Sequence, residues 1–312
     1  MKPICITVGD IAGIGPEVTI KSLQKITAHP PIILFLHSSL LPMVEAQLSI
    51  SPYNGDVSRN NIYYVIVGEN HHPVMAPNHS ENAKIAYDAL IQALEICKNY
   101  NCALVTGPIS KAGFLAAGIP FTGHTTLLKN YFKCPEASMA FYSKKLKVIL
   151  ATIHIPLSDV EKSLTQQQLL STIKNAQLFA KNIQLEQVRI AIAGLNPHAS
   201  ENGQFGTFES SIMKPSLASV APFNGTLTGP ISPDAVFRQT MNGTYDIVIA
   251  LYHDQGLIPL KMIAFDSAVN VTIGLPICRT SPDHGTAYDI AGKNIANPDA
   301  MIAAINYAIK YG

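Results

Sequence analysis

Three histidines in this chain of 312 residues stand where ligands collect. His154 follows the run Val148–Ile153, His198 closes Arg189–Pro197, and His253 closes Ile247–Tyr252. Each run is continuous and rich in β-branched residues, the mark of a strand buried on both faces, and open α/β sheets bind their ligands beyond the carboxyl ends of such strands. Three imidazoles on one sheet edge can hold a divalent metal and leave a coordination position for water or substrate, which is the catalytic rather than the structural pattern. Asp254, next to His253, and Asp234, in Gly229–Asp234, offer carboxylates to ligate or to orient a ring. One such histidine alone reads more easily as a satisfied loop residue. The coincidence of three, shared by none of the other seven, favours the metal.

Other residues suit an anion. Gly123-His124-Thr125-Thr126 precedes Leu127-Leu128-Lys129-Asn130, so free amides and hydroxyls at a helix start can receive a phosphate or carboxylate, or Thr125 can simply cap the helix. Gly107–Lys111 is first of all a turn, with Lys111 a secondary candidate for an anion contact. Lys261, Asn270 and Arg279 add two cations and an amide after His253, although each in isolation suits a surface position equally well. Neither Gly-x-Gly-x-x-Gly nor a phosphate-loop pattern is present, since Gly13–Val18 lacks the third glycine.

The elements that must position these residues alternate. Apolar runs at Ile4–Val8, Ile32–Leu36, Ile62–Val67, Ala103–Val105, Val148–Ile153, Val188–Ala193 and Ile247–Leu251 predict strands. Between them, helical spacing follows a cap at Ser80, another follows Thr165, and Asn297-Pro298 sets a cap-then-proline start for a final helix with Met301, Ile305 and Ile309. Ser49–Ser80, with Pro52, Gly55, Pro73 and Pro77, reads as surface loops around one strand. The length predicts about two domains, and 47% hydrophobic against 14% charged residues excludes disorder. A formal charge of +1 offers no field for nucleic acid or anionic lipid, so any bound anion needs a local cluster. No apolar run approaches a membrane span, and Thr7, Gly9 and Asp10 interrupt any leader after Met1. Five cysteines without Cys-x-x-Cys suggest reduced thiols in a cytoplasm rather than disulfides or a cysteine zinc site.

Taken together, several segments resemble the 4-hydroxythreonine-4-phosphate dehydrogenase family of pyridoxal phosphate biosynthesis, nearly end to end. They are Gly9–Glu17, Thr106–Lys111, Gly123-His124-Thr125, Gly194–Ala199, Tyr252–Gly256 and Arg279–Ala287. The last, continuing through Asp289–Lys293 to Pro298, also looks like the adenine-side loop of isocitrate and isopropylmalate dehydrogenases. The sequence departs from the family at Asp10, where Glu is usual, at Thr126, and in a short Ser49–Ser80 region.

The resemblance implies a two-lobed α/β fold of the isocitrate/isopropylmalate dehydrogenase type, non-Rossmann, with mixed sheets flanked by helices. With the final helix returning to the first lobe, the expected domains are residues 1–120 plus 285–312, and 121–284 with the metal ligands and dimer interface. It implies metal ligation by His154, His198 and His253, substrate contacts from His124, Thr125, Lys261, Asn270 and Arg279, and cofactor contacts from His284, Gly285, Thr286 and Ala287. Lys261 and Asp254 are the candidate proton acceptors. The expected cofactors are NAD or NADP and one divalent ion, zinc, magnesium or cobalt, in a homodimer with the site at its interface. The reaction so implied is oxidation of 4-phosphooxy-threonine followed by decarboxylation. Threonate or erythronate 4-phosphate is the alternative substrate, and a metal-dependent hydrolase is the alternative of another class.

Overall fold

The computed structural model describes residues 2–312. The chain forms two compact units, Met1–Lys133 with Leu275–Gly312, and Cys134–Gly274. The twelve strands of the described residues are β1 Ile4–Thr7, β2 Ile32–Leu36, β3 Ile50–Pro52, β4 Ile62–Ile66, β5 Ala103–Thr106, β6 Ser138–Tyr142, β7 Lys147–Leu150, β8 Val188–Ala193, β9 Gly225–Ile231, β10 Ile247–Ala250, β11 Val269–Ile273 and β12 Arg279–Pro282.

Within the first unit the strands follow the order β3-β4-β2-β1-β5-β12, and every pair is parallel. Parallel strands covered by helices are buried on both faces, which is why Ile32–Leu36 carries no polar residue and is fully buried. The helix Ser80–Tyr100 supplies one cover, laying Ala86, Leu90, Ala93, Leu94 and Cys97 against Cys5, Ile33 and Leu104. His79 rather than Ser80 caps it, its ring nitrogen accepting from the Glu81 amide, and Thr165 caps the helix Gln166–Asn182 as its sequence predicts. The last helix, Asp299–Tyr311, begins one residue later than expected, with Asn297 Oδ1 accepting from the Asp299 amide.

The expected boundaries at 120/121 and 284/285 are corrected to 133/134 and 274/275. Leu127 and Leu128 of the helix His124–Tyr131 are buried in the same core as Phe114 and Leu94. β12 pairs in parallel with β5, and the Thr280 hydroxyl donates to the Ala304 carbonyl of the final helix. His124, Thr125 and Arg279 therefore belong to the first unit. Ser49–Ser80 holds two strands, β3 and β4, rather than one.

In the second unit the order is β11-β6-β7-β10-β8-β9. β11, β6 and β7 pair antiparallel, while β7, β10, β8 and β9 run parallel. The three strands that precede the candidate metal histidines are thus immediate neighbours, and their carboxyl ends lie on one edge. No helix among the described residues is long and apolar enough to cross a membrane.

Candidate active site

The loops leaving β7, β8 and β10 carry His154, His198 and His253, and buried polar side chains hold those loops together. After β7 the Thr152 amide and hydroxyl both donate to the Leu251 carbonyl, at 3.1 and 2.7 Å. Gln168 Nε2 donates to the Ala151 carbonyl at 2.8 Å. Gln255, in the first turn of the helix His253–Ala264, accepts from the Leu251 amide and donates to the Gly194 carbonyl, both at 2.7 Å, and so ties the end of β10 to the end of β8. Glu209 accepts from the amides of Leu195 and Asn196, from Asn196 Nδ2, and from the Ser200 hydroxyl. Burial pushes the Glu209 carboxyl up, but the hydrogen bonds from Asn196 and Ser200 more than offset this, and the net shift is downward.

This anchoring is needed because the chain from His198 to Asn202 runs through five consecutive left-handed conformations, unfavourable for residues other than glycine. Sequence reasoning missed Glu209, Gln255 and Thr152. The signal was faint: polar residues within or just beyond otherwise apolar elements.

The histidine rings differ in their surroundings. His253 Nδ1 lies 2.6 Å from Asp254 Oδ1. A carboxylate only accepts, so Nδ1 carries the proton and the Nε2 lone pair is left to face a ligand. The rings of His154 and His253 are 5.6 Å apart. His198 stands 6.3 Å from the Phe205 ring and near Asp234, whose carboxyl is held below its usual range first by the Ser232 hydroxyl and in lesser part by His198. The three imidazoles do not close to within 4.8 Å of one another; among the described residues only Cys5, Cys97 and Cys102 do so. As a donor set, three histidines on one strand edge, one already oriented by a carboxylate, fit a divalent ion.

Of the expected anion contacts, the first unit brings together His124 and Arg279. Arg279 is buried, with Nη2 donating to Thr106 Oγ1 at 2.7 Å, and burial lowers its guanidinium pKa to about 10. Burial, and then the charge of Arg279, hold His124 well below the ordinary imidazole range, so it is neutral. Thr125 is the second residue of its helix and does not cap it, Gly123 occupying that place. Ser110, in turn, caps the helix Lys111–Ala116 by accepting from the Gly113 amide. In the second unit, Asn270 on β11 buries an Oδ1 that no described residue satisfies, and the Lys261 ammonium lies 5.5 Å from the centre of the Phe265 ring.

A cleft of about 650 Å³ opens in the first unit between the helix Gly15–Lys25 and the loop after β12. Its walls include Ile11, Gly13, Glu17, Lys21, Tyr288 and Asn294. The loop is tied down at several points: the Ile14 amide donates to the Thr286 carbonyl at 2.9 Å, Tyr288 donates to Asp10 at 2.6 Å, and Lys21 donates to the carbonyls of Asn294 and Ala296. A methyl group at Gly13 would press on Thr286, 2.8 Å from its carbonyl oxygen. Of the expected cofactor residues His284, Gly285, Thr286 and Ala287, Thr286 buttresses this cleft, and His284 buries an Nε2 without a partner among the described residues. The walls themselves come from further along the loop and from Ile11–Lys21. Glu17 Oε1 is engaged by Lys21 and the Ala296 amide, whereas Oε2 is buried and unsatisfied. Such orphaned acceptors and donors around a built cleft fit a polar cofactor such as a dinucleotide.

The family model described as "Pyridoxal phosphate biosynthetic protein PdxA" matches residues 30–308. A 4-hydroxythreonine-4-phosphate dehydrogenase of Sulfurihydrogenibium sp. (strain YO3AOP1) is 38% identical, over 99% of this chain and 98% of its own. A D-threonate 4-phosphate dehydrogenase of Pectobacterium atrosepticum is 35% identical over 99% of both. The crystal structure of 4-hydroxythreonine-4-phosphate dehydrogenase from Klebsiella pneumoniae superposes with a TM-score of 0.85 at 35% identity, covering 99% of this chain and 98% of that one. Isocitrate dehydrogenase from Methylococcus capsulatus shares the fold at a TM-score of 0.51 and 14% identity, over 99% of this chain and 85% of its own. The chain belongs to the PdxA family of pyridoxal phosphate biosynthetic proteins.

Proposed function

We propose that this protein is a divalent-metal-dependent, NAD(P)-linked dehydrogenase that oxidises 4-phosphooxy-L-threonine to 2-amino-3-oxo-4-phosphooxybutanoate, which loses carbon dioxide to give 3-amino-2-oxopropyl phosphate. The observation that carries this reading is the placement of His154, His198 and His253 beyond the carboxyl ends of three adjacent parallel strands, with Asp254 fixing the His253 tautomer. His154, His198 and His253 would hold the metal, which would supply acidification of the substrate hydroxyl and charge stabilisation, and a nicotinamide would supply the hydride acceptor.

The chain's own residues bind and orient. In the first unit Arg279, with neutral His124 and Thr125, is the set that holds the phosphate, and in the second Asn270 offers an amide to the substrate. Asp254 is committed to His253, which leaves Lys261 as the proton acceptor. The cleft beside Glu17 and Tyr288 takes the adenosine half of the cofactor, and the buried Glu17 Oε2 accepts a ribose hydroxyl.

The same reading includes a homodimer in the cytoplasm. Ile258, Met262 and Phe265 form an exposed apolar stripe on and just beyond the helix His253–Ala264, a surface that a partner copy would cover.

D-threonate 4-phosphate is a second reading of the substrate, favoured by the comparable identity of the relative named for it. A hydrolase reading leaves the cleft and the family membership without purpose. The deciding experiment follows absorbance at 340 nm with 4-phosphooxy-threonine, threonate 4-phosphate and erythronate 4-phosphate, with NAD and NADP, before and after chelation. Highest kcat/KM with 4-phosphooxy-threonine and loss of activity on chelation are expected. Full activity after complete metal removal overturns the role given to the histidines.

A further inference from the structure

The chain holds a second cluster of metal-binding atoms, in the first unit and apart from the residues of the candidate active site. The sulfurs of Cys5, Cys97 and Cys102 all lie within 4.8 Å of one another, and those of Cys5 and Cys102 are 3.7 Å apart. The sequence spacing conceals this, because the three come together only through the fold. Cys97 sits in the last turn of the helix Ser80–Tyr100, and Asn101 reverses the chain in a left-handed conformation. The Cys102 amide then donates back to the Cys97 carbonyl as the chain enters β5, and β5 lies beside β1, which carries Cys5.

The Cys5–Cys102 pair, at 3.7 Å, has the spacing of a coordination shell, and Cys97 lies within 4.8 Å of both. Zinc–thiolate bonds of about 2.3 Å place sulfurs about 3.8 Å apart in a tetrahedron and about 4.0 Å apart in a trigonal plane. Hydrogen bonds from Cys5 and Cys97 pull the Cys102 thiol below its usual range, while the same contacts and burial push Cys5 and Cys97 up, so one ligand of the set ionises first and the incoming ion must displace the protons of the other two. Three thiolates around a divalent ion leave one net negative charge, which Lys2 partly offsets.

We propose that Cys5, Cys97 and Cys102 form a buried site for a soft divalent ion of the zinc and cadmium class, independent of the proposed dehydrogenase metal. The sulfurs bind as thiolates, three protons leaving to solvent as the ion enters, and no redox change occurs.

The test uses the reduced full-length protein and Cd2+, read by thiolate-to-metal charge-transfer absorption in the ultraviolet, which nitrogen and oxygen ligands do not produce. The band is expected to saturate at one ion per chain and to persist in Cys134→Ser and in His198→Ala. It is expected to weaken at least tenfold in affinity in Cys5→Ala, Cys97→Ala and Cys102→Ala. Because core substitutions can prevent folding, X-ray absorption on the unsubstituted protein provides a second reading, with a shell of three sulfurs expected around cadmium. No charge-transfer band, a band that survives Cys102→Ala or vanishes with Cys134→Ser, or a shell without sulfur overturns the proposal.

Discussion

The two strand edges that carry the candidate chemistry are built from different materials. In the first unit, the turns leaving β1 and β5 lie backbone against backbone. Gly9, at φ +81°, faces the Pro108 carbonyl, and Gly107 faces the Val8 carbonyl, so closely that no side chain fits at either place. In the second unit, the loops leaving β7, β8 and β10 are tied by the side chains of Thr152, Gln255 and Glu209. A backbone-built edge is rigid and intolerant of any added atom. An edge built from side chains tolerates change in steps.

The contrast can be broken most severely in the first unit. Gly107→Ala drives a methyl group into the Val8 backbone and should cost about 3 kcal/mol. A fall of roughly 6–12 °C in thermal midpoint is expected, read by calorimetry. In the second unit Glu209→Gln places an amide N–H among donors, leaving buried groups unsatisfied, and should cost about 2 kcal/mol. Its sharper effect is a fall of about 10- to 100-fold in Zn2+ affinity at the histidines, measured by calorimetric titration, while the secondary structure is kept. Equal metal affinity in this variant would mean that Glu209 supports the fold alone. A smaller effect is expected from Glu17→Gln at the cleft, where KM for the dinucleotide should rise about fivefold with kcat little changed, the loss of a single charged acceptor.

The mildest test is the response to pH, where the two units carry opposite signs. The Glu209 carboxyl is lowered in the fold, so its contribution to stability is complete above the ordinary value of 4.5 and is lost as pH falls through the folded value. Asp10, in the first unit, is raised from 3.8 by burial, partly offset by Tyr288, so its ionisation costs stability as pH rises through the folded value. Urea unfolding across a pH series should show the Glu209→Gln penalty shrinking in acid. Asp10→Asn should gain most at neutral pH and nothing near pH 3.8. Parallel trends for the two variants would erase the distinction between the edges.

Much of the frame is legible in the sequence because parallel strands buried on both faces must be apolar throughout. Ile32–Leu36 and Val188–Ala193 occur as read, to the residue. Strands of mixed composition escape that rule. β6 is Ser-Met-Ala-Phe-Tyr without a β-branched residue, β11 hides behind Asn270, and β12 carries a buried Arg279 and ends in proline. β9 contains Gly229-Pro230, which an outermost strand in its order tolerates. The histidines are legible because they follow strands. Glu209 and Gln255 are not, since their partners lie up to 61 residues away and only closure of the loops brings them within reach. The cysteines were hidden for a related reason, a helix end and a neighbouring strand supplying the proximity that their spacing lacks.

The strand order β7-β10-β8 has a consequence for how the protein is made. β7 and β8 emerge from the ribosome first yet do not pair with each other; the strand that joins them, β10, is synthesised more than fifty residues after β8. The carboxyl edge bearing His154 and His198 is therefore split until β10 inserts as a wedge and brings His253 with it. Such late, non-local insertion slows folding, and it means that a nascent or truncated chain ending before residue 251 holds no partial metal centre that could capture an ion prematurely.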